Sequence, residues 1–353
     1  MKIVTIAGAR PQFVKLAVVS RALREQAGIR EVIVHTGQHY DPLMTDIFFE
    51  QLRIPAPYHH LGVGSGPHGA QTGRMLERIE TVLTQECPDW VLVYGDTNST
   101  LAGALAAAKC HVPVAHVEAG LRSWNRRMPE EVNRVLTDHV SDRLFAPTAS
   151  AAENLAREGI GAAAVEIVGD VMYDAALFHA GAAPVRDGGD YALATVHRAE
   201  NTDDPERLDA ILSALGELAD SMKVILPLHP RTRARLEAGG GMRKHGGSIT
   251  FIDPVGYLEM IALEKGARVI LTDSGGVQKE AYFFGKPCVI LRNETEWMEL
   301  VEAGWNRLAP PVDAGSILQA AKDALETAAD LQRPLLFGDG RAGVKIARSL
   351  AGT

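Results

Sequence analysis

The stretch Val269-Ile270-Leu271-Thr272-Asp273-Ser274-Gly275-Gly276-Val277-Gln278-Lys279-Glu280 is typical of a buried strand, a glycine turn and the start of a helix. The glycines let the backbone turn tightly and approach a ligand closely. The first amides of the helix have no partner within it, so they point at whatever lies beyond the turn. A plain strand-to-helix connection is the alternative. We predict a nucleotide diphosphate site at Ser274, Gly275 and Gly276, with Glu280 placed to receive ribose hydroxyls.

Short apolar runs alternate with helical patterns along the 353-residue chain, which predicts parallel sheets built from βαβ units. The predicted strands are 2–7, 31–36, 90–94, 112–117, 143–146, 165–168, 191–196, 223–227, 249–252, 268–272 and 287–291. The length exceeds that of one typical core, so we predict an α/β protein with two Rossmann-like, doubly wound domains. The boundary is placed in the small, polar segment 181–190, which gives domains 1–180 and 181–335.

Bulk composition limits the classes of function. Hydrophobic residues make up 46% of the chain and the formal net charge is −8, which favours neither a nucleic-acid nor a membrane partner. Three widely spaced cysteines without a CxxC pair fit a reducing cytoplasm. The apolar N-terminus lacks the pattern of a signal peptide, and no run approaches the roughly 18 residues that span a membrane. We therefore expect a cytoplasmic protein.

Two motifs in the first half place charged groups at strand ends. In Gly8-Ala9-Arg10-Pro11-Gln12-Phe13-Val14-Lys15, Arg10 and Lys15 lie at a helix start, where a cation is unfavourable without a bound anion. Asp96 follows strand 90–94, and the polar residues after it are available to cap the next helix. Solvated surface charges are the alternative, but the positions favour a phosphate site and a functional aspartate.

Two further acidic motifs follow the strand 112–117. Glu118 stands directly after this strand and two residues before a glycine. Glu130 and Glu131 begin a helix, where acids stabilise the positive end of the helix dipole without any chemistry. Glu118 is predicted to be functional, and the closeness of Glu130 to its loop makes Glu130 a second candidate.

The second half opens with His197 and Arg198 at the end of strand 191–196, and His229 follows strand 223–227. The ends of parallel strands meet at one edge of a sheet, so His197 and Arg198 are expected beside the Ser-Gly-Gly turn. His229 is as well explained by a structural role. The chain has no HExxH motif, no Cys/His cluster and no GxGxxG fingerprint, so neither a metal nor a nicotinamide cofactor is predicted.

The chain resembles the non-hydrolysing UDP-N-acetylglucosamine 2-epimerases over about residues 2–307, in the segments GARPQFVK, HTGQHYD, VYGDTNSTLAG, HVEAGLRS, MPEEVNR, HRAENTDDP, LHPRTR, DPVGYLEM, TDSGGVQKEA and LRNETEW. The resemblance implies a fold like that of GT-B glycosyltransferases, with the active site in the cleft between the two domains. It also implies a homodimer, and a C-terminal helix within 336–353 that packs back on the first domain.

The implied reaction is reversible C2 epimerisation of UDP-GlcNAc to UDP-ManNAc, through elimination of UDP to a 2-acetamidoglucal and its re-addition. The resemblance assigns catalysis to Asp96, Glu118, Glu130 and His197. It assigns UDP or substrate binding to Arg10, Lys15, Arg198, Ser274, Gly275, Gly276, Glu280 and Arg292. No cofactor is implied.

Several departures from the family pattern leave the sugar open. Thr295-Glu296-Trp297 replaces a common T-E-R triplet, so that Arg292 is the substitute cation, and Gln38-His39-Tyr40 replaces the QHR of members that a second substrate molecule activates. These variants favour, as an alternative, the same chemistry on UDP-2,3-diacetamido-2,3-dideoxy-glucuronate, with Arg126 or Arg127 facing the sugar carboxylate. The motifs are also compatible with a GT-B glycosyltransferase, a hydrolysing relative or a sugar-nucleotide sensor.

Overall fold

The computed structural model describes residues 1–38, 49–181, 189–238, 241, 247–327 and 332–352. The chain divides into two compact units, Met1–Ala175 with Leu335–Thr353, and Ala176–Pro334. Residues 182–188 of the predicted boundary segment lie outside the described residues, as do His39 and Tyr40. Each unit contains one parallel sheet with helices between its strands, so the α/β prediction is confirmed.

The strands of the first unit are β1 (Lys2–Ala7), β2 (Arg30–His35), β3 (His59–His60), β4 (Trp90–Tyr94), β5 (Val114–Val117), β6 (Arg143–Ala146) and β7 (Val165–Ile167). They pair in the order β3-β2-β1-β4-β5-β6-β7, and each neighbouring pair is parallel. The helices are α1 (Arg10–Arg24), α2 (His68–Glu86), α3 (Asn98–Lys109), α4 (Pro129–Val140), α5 (Ala149–Arg157) and α6 (Val171–Ala180), which contains the unit boundary.

The strands of the second unit are β8 (Tyr191–Thr195), β9 (Lys223–Pro227), β10 (Ile249–Ile252), β11 (Val269–Thr272), β12 (Cys288–Ile290) and β13 (Asn306–Leu308). Their order is β10-β9-β8-β11-β12-β13, again parallel throughout. The helices are α7 (Ala199–Thr202), α8 (Pro205–Leu218), α9 (Pro230–Ala238), α10 (Tyr257–Gly266), α11 (Gly275–Phe283), α12 (Met298–Glu302) and α13 (Ala314–Thr327). A last helix, α14 (Ala342–Ala351), belongs to the first unit.

Strand β11 shows why continuous apolar runs form these sheets. Val269 and Leu271 pack into one buried cluster, and Ile270 between them packs into another. Ala194 and Leu193 of the neighbouring strand β8 divide in the same way. Successive side chains of a strand point to opposite faces, so a strand covered by helices on both faces must be apolar at every position.

All eleven predicted strands are confirmed to within two residues at each end, but the two short strands β3 and β13 were not predicted. Strand β3 consists of His59 and His60, and β13 begins with Asn306 and Arg307. Neither is long or apolar enough to show a pattern, and each forms because an edge of the sheet offers it a partner. Among the described residues, no helix has both the length and the apolar character needed to cross a membrane.

Each sheet reverses its winding at one pair of neighbouring strands, β1 with β4 and β8 with β11. Ligands of doubly wound sheets bind outside the carboxyl ends of the strands at such a switch point. The loops that leave these ends carry the Arg10–Lys15, Asp96, His197 and Ser274 motifs. The topology therefore places these four motifs at the two switch points.

Helix α14 packs on helix α1 of the same unit. A Cβ atom added to Gly343 would lie 2.7 Å from Val18 Cγ1, so only glycine allows this close approach. The Gly343 amide donates a hydrogen bond of 2.9 Å to Asp174 Oδ2. Burial, followed by the neighbouring acids, raises the pKa of Asp174 to about 6 although two backbone amides of α14 oppose the shift.

We expect the raised pKa of Asp174 to make stability depend on pH. An acid whose folded-state pKa lies above its unfolded value stabilises the fold at low pH and loses this contribution as pH rises through about 6. The contribution is up to about 2–3 kcal/mol between pH 4 and 8. Urea unfolding of the wild type and of Asp174→Asn measures it, because the asparagine does not titrate. A difference between the two proteins that stays constant with pH would contradict the prediction.

Candidate active site

The turn after β1 is closed by a side chain rather than by a conventional cap. Ala9 precedes helix α1, so no side-chain acceptor is available at that position. Gln12 Oε1 instead accepts from the amides of Gly8 and Ala9, at 2.8 and 3.1 Å. Its Nε2 donates to the Tyr94 carbonyl oxygen at 3.0 Å, which ties the turn to strand β4. The structure thereby fixes the start of the helix that carries Arg10 and Lys15.

Lys15 and Glu118 form a buried ion pair. Lys15 Nζ donates to Glu118 Oε2, and both side chains are almost completely buried. Gly95 lies against the pair, since a Cβ atom there would be 3.0 Å from Lys15 Nζ and 3.2 Å from Glu118 Oε2. The structure thus brings together two predicted site residues, one from α1 and one from the end of β5.

Glu118 also has an unusual backbone. Its φ is +71°, in the left-handed region that residues with a side chain rarely adopt. Such a conformation costs about 1–3 kcal/mol and persists where the surroundings enforce it, which is often at functional sites. Here the amides of Glu118 and Ala119 both donate to the Phe145 carbonyl oxygen at 3.1 Å. These bonds hold the carboxylate in place at the carboxyl edge of the sheet.

Asp96 lies in the turn between β4 and α3, and its side chain is 31% exposed. Arg134 Nη2 donates to Asp96 Oδ2 at 2.6 Å. The next helix is capped by another residue, because Thr97 Oγ1 accepts from the Thr100 amide. The carboxylate of Asp96 is therefore not used for capping and remains partly open to solvent.

The two acids at the start of α4 have different surroundings. Glu130 is exposed, whereas Glu131 is buried and accepts hydrogen bonds from the amides of Ser123 and Trp124, each at 2.9 Å. Burial alone would raise the pKa of Glu131, but these amides and Arg134 outweigh it and hold the pKa below its usual value. These hydrogen bonds give Glu131 a structural role, whereas Glu130 faces solvent.

A buried charge network supports these loops, and no local sequence pattern reveals it. Asp138 accepts from His116 Nδ1 at 2.7 Å and lies 2.8 Å from Arg122 Nη1. The other ring nitrogen of His116 lies 2.7 Å from the Gly95 carbonyl oxygen. All three side chains are completely buried. His116, which lies two residues before Glu118, thus connects the Gly95 turn to helix α4.

In the second unit, His197 pairs with Asp273, which lies in the segment 269–280. His197 Nδ1 lies 3.1 Å from Asp273 Oδ1, and the amides of His197 and Arg198 donate to the same carboxylate. Burial alone would raise the pKa of Asp273, but the His197 side chain and these amides outweigh it and lower the pKa. The anionic Asp273 therefore orients the imidazole of His197, which is 39% exposed, beside the Ser274 turn.

The Ser274 turn has the geometry of an open helix start. Ser274 precedes α11, makes no side-chain cap, and is followed by no acid in the first turn. Its amide donates to Thr272 Oγ1 at 2.9 Å. The amides at the start of α11 are thus arranged as in other anion sites at helix N-termini.

Glu280 and Arg292 are buried rather than surface groups. Glu280 is 5% exposed and neighbours Glu264, whose pKa is raised well above its usual value by burial and then by the Glu280 carboxylate. Arg292 is 1% exposed, and its Nη1 donates to Glu296 Oε2 at 3.0 Å. The structure therefore buries Glu280, which is predicted to bind the ribose, and Arg292, which is the predicted substitute cation. Each of them has an acidic neighbour.

Gly275 is required by the position of Glu296. A Cβ atom at Gly275 would lie 2.5 Å from Glu296 Oε1, whereas one at Gly276 would have no atom nearer than 3.9 Å. We expect Gly275→Ala to lower the free energy of unfolding by about 1–3 kcal/mol, since Arg292 holds Glu296 in place. Gly276→Ala is expected to be neutral or slightly stabilising. Chemical denaturation of both variants tests this, and equal losses would contradict it.

Among the described residues, no group of three or more His, Cys, Asp and Glu side chains is arranged to hold a metal ion. Arg10 and Arg198 are half-buried at the first residue of α1 and at the residue before α7, respectively. The predicted residues thus collect into two groups, one at each switch point. Asp96, Glu118 and Lys15 belong to the first group, and His197, Arg198 and the Ser274 turn belong to the second.

Comparison with known proteins identifies the family to which the chain is similar. The family model for UDP-N-acetylglucosamine 2-epimerase matches residues 21–351. The UDP-2,3-diacetamido-2,3-dideoxy-D-glucuronate 2-epimerase of Pseudomonas aeruginosa is 55% identical over 361 residues, which cover 99% of each chain. The UDP-N-acetylglucosamine 2-epimerase of Methanocaldococcus jannaschii is 46% identical over 365 residues, with 99% of each chain covered. The crystal structure of the M. jannaschii enzyme with UDP-GlcNAc and UDP matches with a TM-score of 0.92, 45% identity and full coverage of both chains.

Proposed function

Because the chain belongs to the UDP-N-acetylglucosamine 2-epimerase family, we propose that it interconverts UDP-GlcNAc and UDP-ManNAc by inversion at C2. The C2 proton is not acidic, since no carbonyl group adjoins C2 in the ring. Elimination avoids the need for a free carbanion. The C1–O bond to UDP breaks, a base takes the C2 proton, and a C1–C2 double bond forms. UDP then adds back to C1 while a proton returns to the opposite face of C2.

The observation that carries this proposal is the set of acids in the first unit. Asp96 is partly exposed and held by Arg134, Glu118 is paired with Lys15 and strained in its backbone, and Glu130 faces solvent at the start of α4. Two faces of C2 require two proton-transfer groups, and carboxylates are suitable general acids and bases. We assign the two transfers to members of this group.

The second unit is proposed to hold UDP. The amides of Ser274, Gly275 and Gly276 suit the diphosphate, with the side chains of His197 and Arg198 beside them. Glu280 is assigned to the ribose hydroxyls, and Arg10, Lys15 and Arg292 to the remaining negative charge of the substrate. The aspartate that orients His197 supports this role, because it holds the imidazole beside the Ser274 turn.

A second candidate substrate is UDP-2,3-diacetamido-2,3-dideoxy-glucuronate. The P. aeruginosa relative named for this sugar is 55% identical to the chain, against 46% for the M. jannaschii UDP-GlcNAc epimerase. The additional carboxylate of this sugar needs a cation. Arg126 and Arg127 are exposed in the turn that Glu131 anchors, so they are available for that contact.

The test is to incubate the protein with each UDP-sugar separately and follow the sugar signals and free UDP by NMR. Formation of the C2 epimer without accumulation of free UDP supports the proposal, and the higher kcat/KM identifies the substrate. Stoichiometric release of UDP with free ManNAc would indicate a hydrolysing enzyme. Transfer to an added acceptor would indicate a glycosyltransferase, and binding without turnover would indicate a sensor.

The homodimer and the cytoplasmic location belong to the same proposal. Both follow from the family resemblance and from the cysteine pattern rather than from the contacts described above. Sedimentation velocity at micromolar concentration tests the dimer, and a single species of the monomer mass of 38.0 kDa would exclude it.

A further inference from the structure

Arg134 of helix α4 stands between two carboxylates. Its Nη1 donates to Glu131 Oε2 at 2.8 Å, and its Nη2 donates to Asp96 Oδ2 at 2.6 Å. The arginine side chain is 4% exposed and that of Glu131 is 1% exposed, whereas that of Asp96 is 31% exposed. A buried ion pair thus reaches outward to one partly exposed carboxylate.

Glu131 is itself fixed, so it is a firm anchor for the arginine. Its two oxygens accept from the amides of Ser123 and Trp124 and from the Ser123 hydroxyl, at 2.9, 2.9 and 3.1 Å. Trp124 has a φ of +60°, a strained conformation that these bonds help to maintain. The anchor therefore holds the turn after Glu118 as well as Arg134.

The backbone of Asp96 is held from the same helix. Asn133 Nδ2 donates to the Asp96 carbonyl oxygen at 2.9 Å. Asn133 and Arg134 are consecutive, so one turn of α4 forms hydrogen bonds to both the main chain and the side chain of Asp96. The Asn133 contact constrains the main chain of this loop residue, and the Arg134 contact constrains its side-chain rotamer.

We propose that Arg134, anchored by Glu131, is a positioning residue that holds the Asp96 carboxylate in the orientation needed for proton transfer at C2. This inference rests on the proposed function. The planar guanidinium presents donors at a fixed angle and can bridge two carboxylates in one geometry, which the single ammonium group of lysine cannot do. Misplacing a reacting group by about 1 Å costs on the order of 10²-fold in rate.

The test is a kinetic double-mutant cycle of Arg134→Lys with Asp96→Asn. Alone, Arg134→Lys should lower kcat by about 10–100-fold, with little change in UDP affinity. In the Asp96→Asn background it should lower kcat no further, because the group that it positions is already inactive. Solvent deuterium entry at C2 should show the same pattern. Arg157→Lys, at an exposed arginine of the same unit, is the matched control.

Multiplicative losses in the double variant, or an unchanged kcat in Arg134→Lys, would overturn the inference. If Arg134→Lys does not fold, Glu131→Gln takes its place, since it weakens the anchor while keeping an acceptor for the Trp124 amide. The circular dichroism spectrum checks that each variant is folded, and UDP binding checks that the second unit is intact. Failure of the proposed function has a different signature, because the wild type itself would then form no C2 epimer, whatever residue occupies position 134.

Discussion

Replacing Asp96 with asparagine is expected to lower kcat by about 10²–10⁴-fold, while UDP still binds. The asparagine has the same shape and can still accept from Arg134, so the turn between β4 and α3 should keep its structure. It cannot take up or release a proton, and one face of C2 would lose its acid–base group. Steady-state kinetics gives the change in kcat, and calorimetry with UDP gives the affinity.

The matched control for this variant lies next to the same strand. Asp89 precedes β4 at the opposite end of the strand, is exposed, and accepts from the Lys2 amide. Asp89→Asn should leave turnover unchanged. Full activity in Asp96→Asn would refute the assignment of Asp96, and a parallel loss of UDP affinity would mean that its role is in binding.

Replacing Asp138 with alanine is expected to lower the free energy of unfolding by about 3–5 kcal/mol, the usual cost of removing one partner of a buried ion pair, with Arg122 keeping its second partner, Glu158. Arg122 and His116 have no side-chain exposure, and both lose their contact with Asp138. The Gly120 amide also loses its acceptor. Urea denaturation measures the loss. Glu153→Ala, which breaks an exposed pair with Arg157, should change stability far less, and similar losses in the two variants would contradict the prediction.

The pKa of Asp138 adds a pH dependence to this effect. Burial alone would raise that pKa, but His116 and Arg122 outweigh it and hold it below its usual value. An acid with a lowered folded-state pKa stabilises the fold above its unfolded pKa of about 3.9 and loses this contribution as pH falls through the folded value. The difference between wild type and Asp138→Ala should therefore shrink in acid. A difference that grows below pH 4 would show that the carboxylate is not ionised in the folded protein.

The fold was predictable because its strands carry a strong local signal. Val269, Ile270 and Leu271 make the strand apolar on both faces, and such a run between helical patterns indicates a parallel sheet. Strands β3 and β13 carry no such signal, since their pairing depends on the edge of a sheet that is assembled from distant segments. Strand order likewise depends on long-range contacts rather than on local sequence.

The structure places Asp96, Glu118 and the glycine turn at strand ends and Glu130 at the start of α4, and their roles remain proposals. The sequence did not reveal which residues hold these site residues in place. Asp273 lies in the segment 269–280, but its contact with His197 brings together loops that are far apart in the sequence. His116 and Asp138 are 22 positions apart, and no short-range pattern links them. Partners of this kind are set by packing, which local patterns do not reveal.

The most direct test of the proposed reaction is to run it in D2O and examine C2 of both sugars by proton NMR. We predict that the epimer forms with deuterium at C2 and that deuterium also enters the starting sugar, because elimination and re-addition exchange this proton with solvent. Asp96→Asn should suppress the exchange. Formation of the epimer with protium retained at C2 would contradict the proposal, since inversion would then proceed without breaking the C2–H bond to a solvent-exchangeable base.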